Sequence, residues 1–233
     1  PILRDYLQSL KLDFREHGIV CPLDVMQSAG GIMSAEAAIE RAVLCLESGP
    51  AAAVMATCTL GRHLGIREAV TLEMGGTTAK STLIEGGVAH RVMETELGTP
   101  VSVGGQSLKG AGYALRIPAI DTAEVGAGGG SIAQVDAEGS LNVGPEGAGA
   151  DPGPACYDRG GTRATITDAN VVLGYLRESH PLGGDIRVDG SKAEAVIAKQ
   201  VARPLGLSVP EAAYAVRTLA NATMARAIRA VST

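Results

Sequence analysis

Apolar and polar positions along the chain follow two different periods, and the change between them predicts where helices give way to strands. Residues 2–17 carry apolar side chains at roughly helical spacing, and Gly18 is a suitable stop for that helix. Three short apolar runs, at 69–74, 81–84 and 88–93, are separated by glycine-containing turns. This arrangement predicts a β-meander in the middle of the chain.

The segment before the meander predicts a strand and two helices. A short strand is expected at 23–26, followed by a helix from Ser34 to about Leu46. Ser48 is positioned to cap a second helix over 51–65, with proline in its first turn. The first turns of this helix are mostly alanine, so the helix can pack very close to a neighbour or a ligand.

After the meander, glycine-rich loops alternate with short strands. Residues 124–136 predict a strand, a glycine loop and a second strand, and 144–164 form a long loop rich in Gly, Pro and Asp. Thr167-Asp168 can cap a helix over 169–179.

The last third of the chain predicts two helices, at 191–206 and 209–232. Ser208 and Glu211 have the spacing of a capping box at the start of the second one. The complete order is that of an α/β protein, with the strand meander in the middle and helices at both ends.

Composition narrows the classes of partner. The 233 residues are 45% hydrophobic with a net charge of −5, one Phe and no Trp, and no basic run stands out. Nucleic-acid and anionic-membrane partners normally require a basic patch, so we expect neither. No membrane-length apolar run and no paired C-x-x-C spacing is visible, which favours a cytoplasmic protein with reduced thiols. The 31 glycines are clustered, which favours tight turns and close approach of backbone to a ligand.

The turn between the first two meander strands, in TLEMGGTTAKSTL, carries candidate chemistry. Glycines expose backbone N–H groups that bind anions, hydroxyls add neutral donors, and a carboxylate can hold a divalent cation or its water. A lysine can contact phosphate as a mobile charge. The candidate set is Glu73, Gly75, Gly76, Thr77, Thr78 and Lys80. The alternative is a plain type I′ hairpin without a ligand.

Several blocks together resemble a known family. They are VMQSAGGIMSAEAA, SGPAAAV, EMGGTTAK, EVGAGGGSIAQVD, VGPEGAGADPGPACY, TDANVVLGYL and NATMARAIRAVS, and they cover roughly residues 20–232. The small-residue helix followed by the GGTT hairpin resembles the actin-like ATPase superfamily, with its ribonuclease H-like core. The full set of blocks resembles the hydantoinase A/5-oxoprolinase branch of that superfamily, on its N-methylhydantoinase A side.

The resemblance implies one half of an actin-like fold within 1–233, central in a longer protein. It suggests a core at 1–120, a glycine-rich β/loop insertion at 121–190 and a helical return to the core at 191–233. It also implies ATP, Mg²⁺ and a partner subunit or domain of the hydantoinase B type. The family's first phosphate hairpin and its adenosine-binding segment do not occur in this sequence, so we expect the fragment alone to be inactive.

Two departures from the family pattern concern the hairpin. Glu73 stands where the family usually has Asp, and Ala79-Lys80 follow the turn where many members have Ser/Thr-Asp. The longer Glu73 side chain would bind a metal through water or from a shifted position. Glu73 is the expected catalytic and metal-orienting residue.

Other candidate site residues lie in the loops and at helix starts. The loop GAGGGS fails the context of a dinucleotide fingerprint, because a strand and not a long helix follows it. It is either a structural bend or the lining of a cleft. Cys156 as a nucleophile would need a base, and Asp168 fits a helix cap better than a metal ligand. The further candidates are Ser48, Gly128, Gly129, Asp151, Cys156 and Asp168.

The function that the resemblance implies is ATP-dependent opening of a cyclic amide such as a hydantoin or 5-oxoproline. Phosphorylation of the amide oxygen by ATP would make it a good leaving group. One alternative is the ATP-using subunit of an acetone/acetophenone-type carboxylase. Another is a nucleotide-responsive assembly module without its own chemistry.

Overall fold

The computed structural model describes residues 2–97, 101–103, 106–107, 113–180, 182 and 186–232. Helices lie mainly at the two ends of these ranges, and strands lie mainly in the middle. The α-helices are α1 (Ile2–Glu16), α2 (Ala35–Glu40), α3 (Ser48–Leu64), α4 (Ile166–Val172), α5 (Gly190–Ile197), α6 (Arg203–Leu205) and α7 (Val209–Ser232). None of the helices in these ranges combines the length and the apolar character needed to cross a membrane.

The strands are short and concentrate in the middle of the chain. They are β1 (Asp24–Met26), β2 (Ile32–Ser34), β3 (Ala69–Met74), β4 (Ala79–Glu85), β5 (Val88–Ala89), β6 (Arg91–Val92), β7 (Thr95–Leu97), β8 (Val101–Val103), β9 (Gln106–Ser107), β10 (Tyr113–Leu115), β11 (Ala119–Ile120), β12 (Ala123–Val125), β13 (Ser131–Val135) and β14 (Leu141–Gly147). The largest sheet has the order β3-β4-β12-β8-β9, with β5 paired to β4. Four two-stranded ladders accompany it: β1-β2, β10-β7, β11-β6 and β13-β14.

The chain divides into two compact units. Unit 1 comprises mainly Pro1–Thr71 and Ser81–Ala123, and unit 2 comprises mainly Leu72–Lys80 and Glu124–Val231. The three-part subdivision drawn from the sequence stays a prediction.

Unit 1 is built around helix α3. Ala51, Val54 and Cys58 lie on one face of α3 and pack with Ile84 and Ile120 in a buried cluster. The small side chains at the start of α3 permit this close packing, as the sequence indicated. A second cluster joins α1 to α2 through Leu7, Ala35 and Ala38.

Unit 2 is built around an alanine-rich core. The hairpin β13-β14 contributes Ala133, α4 contributes Ile166 and Ala169, and the C-terminal helices contribute Ile197 and Val216. Because alanine side chains are short, the backbones of these elements approach closely, and this close packing fixes the position of the loops between them.

Several predicted boundaries agree with the structure. Helix α1, helix α3, strand β3 and the strand–glycine loop–strand segment from Ala123 to Val135 are confirmed. The Glu211 half of the capping box predicted at α7 is confirmed, because the N–H and Oγ of Ser208 both donate to Glu211 Oε2, at 2.9 and 2.6 Å.

Three predictions about helix ends were wrong. The helix expected from Ser34 to about Leu46 is only α2, followed by a 3-10 turn, although Ser34 does cap it. Ser48 is the first residue of α3 and its N-cap is Glu47, which has a left-handed backbone. The helix expected over 169–179 begins at Ile166 and stops before Gly174, which has a φ of +76° and ends the helix.

Candidate functional site

The turn between β3 and β4 forms a tight tip within unit 2. The N–H of Gly75 donates to the carbonyl of Thr78 at 2.9 Å, which leaves Gly76 and Thr77 as the two central residues. Gly76 and Thr77 are exposed. We call Gly75, Gly76, Thr77 and Thr78 the hairpin tip.

The plain type I′ turn is excluded by the backbone angles. That turn requires a positive φ at both central residues, whereas neither Gly76 nor Thr77 has one. A Cβ added at Gly76 would meet no atom within 4 Å, and one at Gly75 would make only ordinary contacts. The turn itself therefore does not require these glycines, and their effect is to leave the backbone of the tip uncovered.

The uncovered backbone of the tip carries three consecutive N–H donors. Within the described residues, the N–H groups of Gly76, Thr77 and Thr78 make no hydrogen bond. Consecutive N–H groups of this kind form a site for anions, because each contributes a partial positive charge without a competing acceptor. The side chain of Thr77 is exposed beside them and adds a hydroxyl.

A glycine loop, residues 126–131, holds the tip from its carbonyl side. Gly128, Gly129 and Gly130 donate their N–H groups to the carbonyls of Thr77, Gly75 and Gly76, at 3.2, 2.9 and 2.7 Å respectively. All three loop N–H groups are thereby occupied, so this loop cannot itself bind an anion through them. Its role is to support the tip.

The support requires glycine for steric reasons. A Cβ at Gly128 would lie 2.4 Å from the carbonyl carbon of Thr77, and one at Gly130 would lie 2.9 Å from the carbonyl oxygen of Gly76. Side chains at these positions would push the loop away from the tip. The glycine clustering seen in the sequence thus has different causes at the tip and in the loop.

A cleft of about 480 Å³ opens beside the tip within unit 2. One wall is the tip with Met74, and another is formed by Gly129 and Gly130 of the glycine loop. The remaining wall consists of Gly149, Ala150, Pro154, Tyr157 and Thr167. The cleft therefore brings the tip, the glycine loop, the 149–157 loop and the start of α4 to one place.

Glu73 lies at the end of β3 beside this tip. One of its carboxylate oxygens is 3.8 Å from the position of a Cβ built on Gly75. Its carboxylate makes no hydrogen bond or ion pair with any residue of the described ranges. Among those residues, no three His, Cys, Asp or Glu side chains form a group that could hold a metal ion.

Lys80 differs from the expectation of a mobile phosphate contact. Its side chain is only 10% exposed, and its ammonium lies 3.4 Å from the carboxylate of Glu124 on β12. Glu124 is therefore an ion-pair partner within strand β12. A contact between Lys80 and a phosphate would have to share or break this pair.

Asp168 organises the start of α4. It is completely buried, and its two carboxylate oxygens accept hydrogen bonds from the N–H of Cys156 at 2.8 Å and from the N–H and Oγ1 of Thr165 at 2.9 and 2.7 Å. Thr165 is the N-cap and Asp168 occupies the third helical position of a capping box. The prediction that Thr167-Asp168 caps the helix was therefore two residues late, because the box places the hydroxyl residue before the acid.

Cys156 does not have the surroundings of a nucleophile. Its side chain is fully buried, and burial raises the pKa of its thiol well above the ordinary range, with the Asp168 carboxylate adding to the effect. The thiol therefore stays protonated at neutral pH, and its hydrophobic neighbours include Val171 and Val188.

We expect iodoacetamide to modify Cys21 quickly and Cys156 not at all in the native protein at pH 8. Cys21 is exposed, whereas the buried Cys156 supplies no thiolate at that pH. Peptide mass spectrometry after timed quenching measures both sites, and all four thiols should react in urea as the control. Fast labelling of Cys156 in the folded protein would contradict its assignment as a structural residue.

The remaining candidates are divided by the structure. Gly129 lines the cleft, whereas Asp151 is exposed and is not among the residues lining it. Ser48 belongs to unit 1, at the start of α3.

Sequence reasoning did not select Tyr157 and Thr167 as site residues. Both line the cleft, and burial raises the pKa of the Tyr157 phenol, so it remains an O–H donor at neutral pH. The only sequence signal for them was their position in the GADPGPACY loop and beside Asp168.

A model of the family described as hydantoinase/oxoprolinase matches residues 1–233. The chain belongs to the hydantoinase/oxoprolinase family. This confirms the resemblance drawn from the sequence blocks, and the described helices and strands agree with a mixed α/β fold of the hydantoinase type.

Two relatives and two solved structures represent the similarity. An uncharacterised protein of Methanocaldococcus jannaschii is 43% identical over 232 residues, which are 100% of this chain and 34% of that protein. The caprolactamase subunit alpha of Pseudomonas jessenii is 40% identical over 232 residues, or 100% of this chain and 32% of that protein. The crystal structure of ATP-dependent caprolactamase from that organism has a TM-score of 0.67 at 37% identity, covering 99% of this chain and 32% of that one.

A nucleotide-free structure of acetone carboxylase, from work on ATP-dependent acetone carboxylation, has a TM-score of 0.76 at 29% identity. The alignment covers 94% of this chain and 29% of that chain. This chain thus spans about a third of the length of the relatives that it matches.

Proposed function

We propose that this chain is the phosphate-binding part of an ATP-dependent enzyme that opens a cyclic amide, such as a hydantoin, 5-oxoproline or another lactam. The observation that carries the proposal is the hairpin tip beside the cleft, where three consecutive N–H groups make no hydrogen bond within the described residues. Membership of the hydantoinase/oxoprolinase family supports the choice of ATP and of a cyclic amide. The proposed fold is one half of an actin-like ATPase.

The tip residues would divide the work of holding the phosphates. The N–H groups of Gly76, Thr77 and Thr78 donate to phosphate oxygens, and the Thr77 hydroxyl adds one donor. Gly75 and Gly76 allow close approach because no Cβ covers the backbone there. Lys80 would contribute positive potential while it remains paired with Glu124.

The donor set at Glu73 fits Mg²⁺. Mg²⁺ is usually held by one or two carboxylates, several waters and the phosphates of the substrate, so a single unpartnered carboxylate beside the anion site is sufficient. Glu73 would orient the ion or one of its waters, and in that sense is the proposed catalytic residue. ATP, when bound with Mg²⁺, supplies the phosphoryl group that converts an amide or enol oxygen into a leaving group.

Further parts of the proposal concern the whole protein. Because the relatives include subunits named caprolactamase alpha and acetophenone carboxylase gamma, we propose a partner subunit or domain of the hydantoinase B type. ATP is a cytoplasmic substrate, so we propose a cytoplasmic location.

A carboxylase subunit is the second candidate function. It is supported by the acetone carboxylase structure, whose TM-score of 0.76 exceeds the 0.67 of caprolactamase. In that case the same tip would hold ATP while the phosphoryl acceptor is a ketone enolate, and a partner subunit would add the carboxyl group.

Phosphate release by the complete protein with its partner subunit, under Mg²⁺ and ATP, tests both functions. The panel contains hydantoin, N-methylhydantoin, 5-oxoproline, caprolactam, acetone and acetophenone, each with and without bicarbonate. We expect one cyclic amide to stimulate release without bicarbonate. Stimulation only by a ketone with bicarbonate would favour the carboxylase, and no stimulation by any compound would overturn both and leave an assembly module.

A further inference from the structure

The glycine loop connects the hairpin tip to the start of helix α4 through a single peptide group. The carbonyl of Gly129 accepts two hydrogen bonds from Thr167, from its N–H at 2.9 Å and from its Oγ1 at 2.9 Å. The N–H of the same peptide group, on Gly130, donates to the carbonyl of Gly76 at 2.7 Å. The peptide group that follows, between Gly76 and Thr77, presents the unpaired N–H of Thr77.

We propose that Thr167 is a positioning residue for ligand binding, and that its hydroxyl orients and polarises the N–H of Thr77 through these two peptide groups. When the carbonyl of a peptide group accepts a hydrogen bond, the N–H of the same peptide group becomes more positive. Successive hydrogen bonds in such a series therefore strengthen one another. Thr167 is the first donor in this series of hydrogen bonds, and the N–H of Thr77 belongs to its last peptide group. The proposal rests on the assignment of the tip as an anion site.

The surroundings of Thr167 fit this role. Thr167 is the second residue of α4, where a backbone N–H has no partner within the helix. Here that N–H donates to the carbonyl of Gly129. Thr167 is 6% exposed, and a Cβ on Gly129 would lie 2.9 Å from its Oγ1. Glycine at 129 is thus what allows the hydroxyl to reach the carbonyl.

Thr167→Val removes the hydroxyl and keeps the shape, whereas Thr167→Ser keeps the hydroxyl. In the complete protein we expect Thr167→Val to raise the KM for ATP roughly five- to tenfold, the worth of one ordinary hydrogen bond. Thr167→Ser should restore the KM to within about twofold of wild type. Melting curves of all variants exclude unfolding as the cause.

Thr165→Val is the matched control. Thr165 is the buried N-cap of the same helix, but its hydroxyl donates to Asp168 and not to Gly129. We expect this variant to lose thermal stability and to keep the wild-type KM for ATP. An equal rise of KM in Thr165→Val would overturn the proposal, because any disturbance of the start of α4 would then suffice.

Hydrogen exchange of peptides covering 126–131 tests the relay without nucleotide. The amide of Gly130 should exchange faster in Thr167→Val than in wild type, and at the wild-type rate in Thr167→Ser. If the wild-type protein has no nucleotide-dependent activity, the proposed function fails. The exchange data still show whether the Thr167 hydroxyl acts on the Gly129–Gly130 peptide group. An unchanged exchange rate of Gly130 in Thr167→Val overturns the proposal.

Discussion

Replacing Glu73 and Thr77 together by alanine should reduce ATP-dependent phosphate release by the complete protein by about 100-fold or more. The Thr77 hydroxyl is a donor at the proposed phosphate site, and Glu73 is the proposed anchor of the metal ion that neutralises phosphate charge. The fold should tolerate the change. Thr77 is exposed and the Glu73 carboxylate makes no hydrogen bond or ion pair to the described residues. The melting temperature should therefore stay within about 2 °C of wild type.

The matched control is Glu138→Ala combined with Thr162→Ala. Both residues are exposed, both belong to unit 2, and neither lines the cleft. The control removes the same two functional groups and should keep full turnover. Undiminished turnover of the Glu73→Ala/Thr77→Ala protein, with a normal melting curve, would rule out the hairpin tip as the phosphate site.

The sequence predicted the hairpin tip well because its signals are local. Short apolar runs on either side of a turn of small residues predict two strands with Gly75 to Thr78 between them. This prediction needs no information about the rest of the fold. The family blocks then identified the class of protein. Helix α3 was equally accessible, because its early proline and its run of small residues lie within one segment, although its cap was misplaced by one residue.

The support for the tip could not be predicted because it depends on contacts between distant segments. Gly128 meets Thr77 across about fifty positions of sequence, and Thr167 meets Gly129 across 38. A glycine run in a sequence is compatible with a flexible bend or with a close backbone contact, and only the position of the neighbour distinguishes them. The same limit explains Lys80, whose partner Glu124 lies on another strand.

The glycines of the tip and of the glycine loop are of two kinds, which the sequence alone does not distinguish. Gly75 and Gly76 could carry a Cβ without a clash, whereas Gly128 and Gly130 could not. Packing explains the glycines of the second kind, and for those of the first kind we propose a ligand as the reason. Alanine at Gly76 should therefore affect ligand binding and leave the fold unchanged, while alanine at Gly128 should disturb the tip itself.

Replacing Asp168 by alanine should lower the free energy of unfolding by about 3–5 kcal/mol, the largest stability effect that we expect in unit 2. The change removes the acceptor of three hydrogen bonds, from the N–H of Cys156 and from the N–H and Oγ1 of Thr165. Both partner residues are completely buried, so water cannot replace the carboxylate. Each unsatisfied buried donor costs about 1–3 kcal/mol. Urea unfolding followed by circular dichroism measures the loss.

Two variants separate burial from the number of hydrogen bonds. Asp136 also accepts three, from Glu138 N–H, Ser140 N–H and Asn142 Nδ2, but it is exposed. Asp136→Ala should therefore cost far less, because water satisfies the released donors. Asp168→Asn keeps one acceptor for Cys156 but turns an amide N–H₂ towards the Thr165 donors, so its loss should lie between the two. If Asp168→Ala lost no more unfolding free energy than Asp136→Ala, water would have to reach the N–H and hydroxyl donors of Cys156 and Thr165. Asp168 would then not be the residue that holds the 149–157 loop against α4.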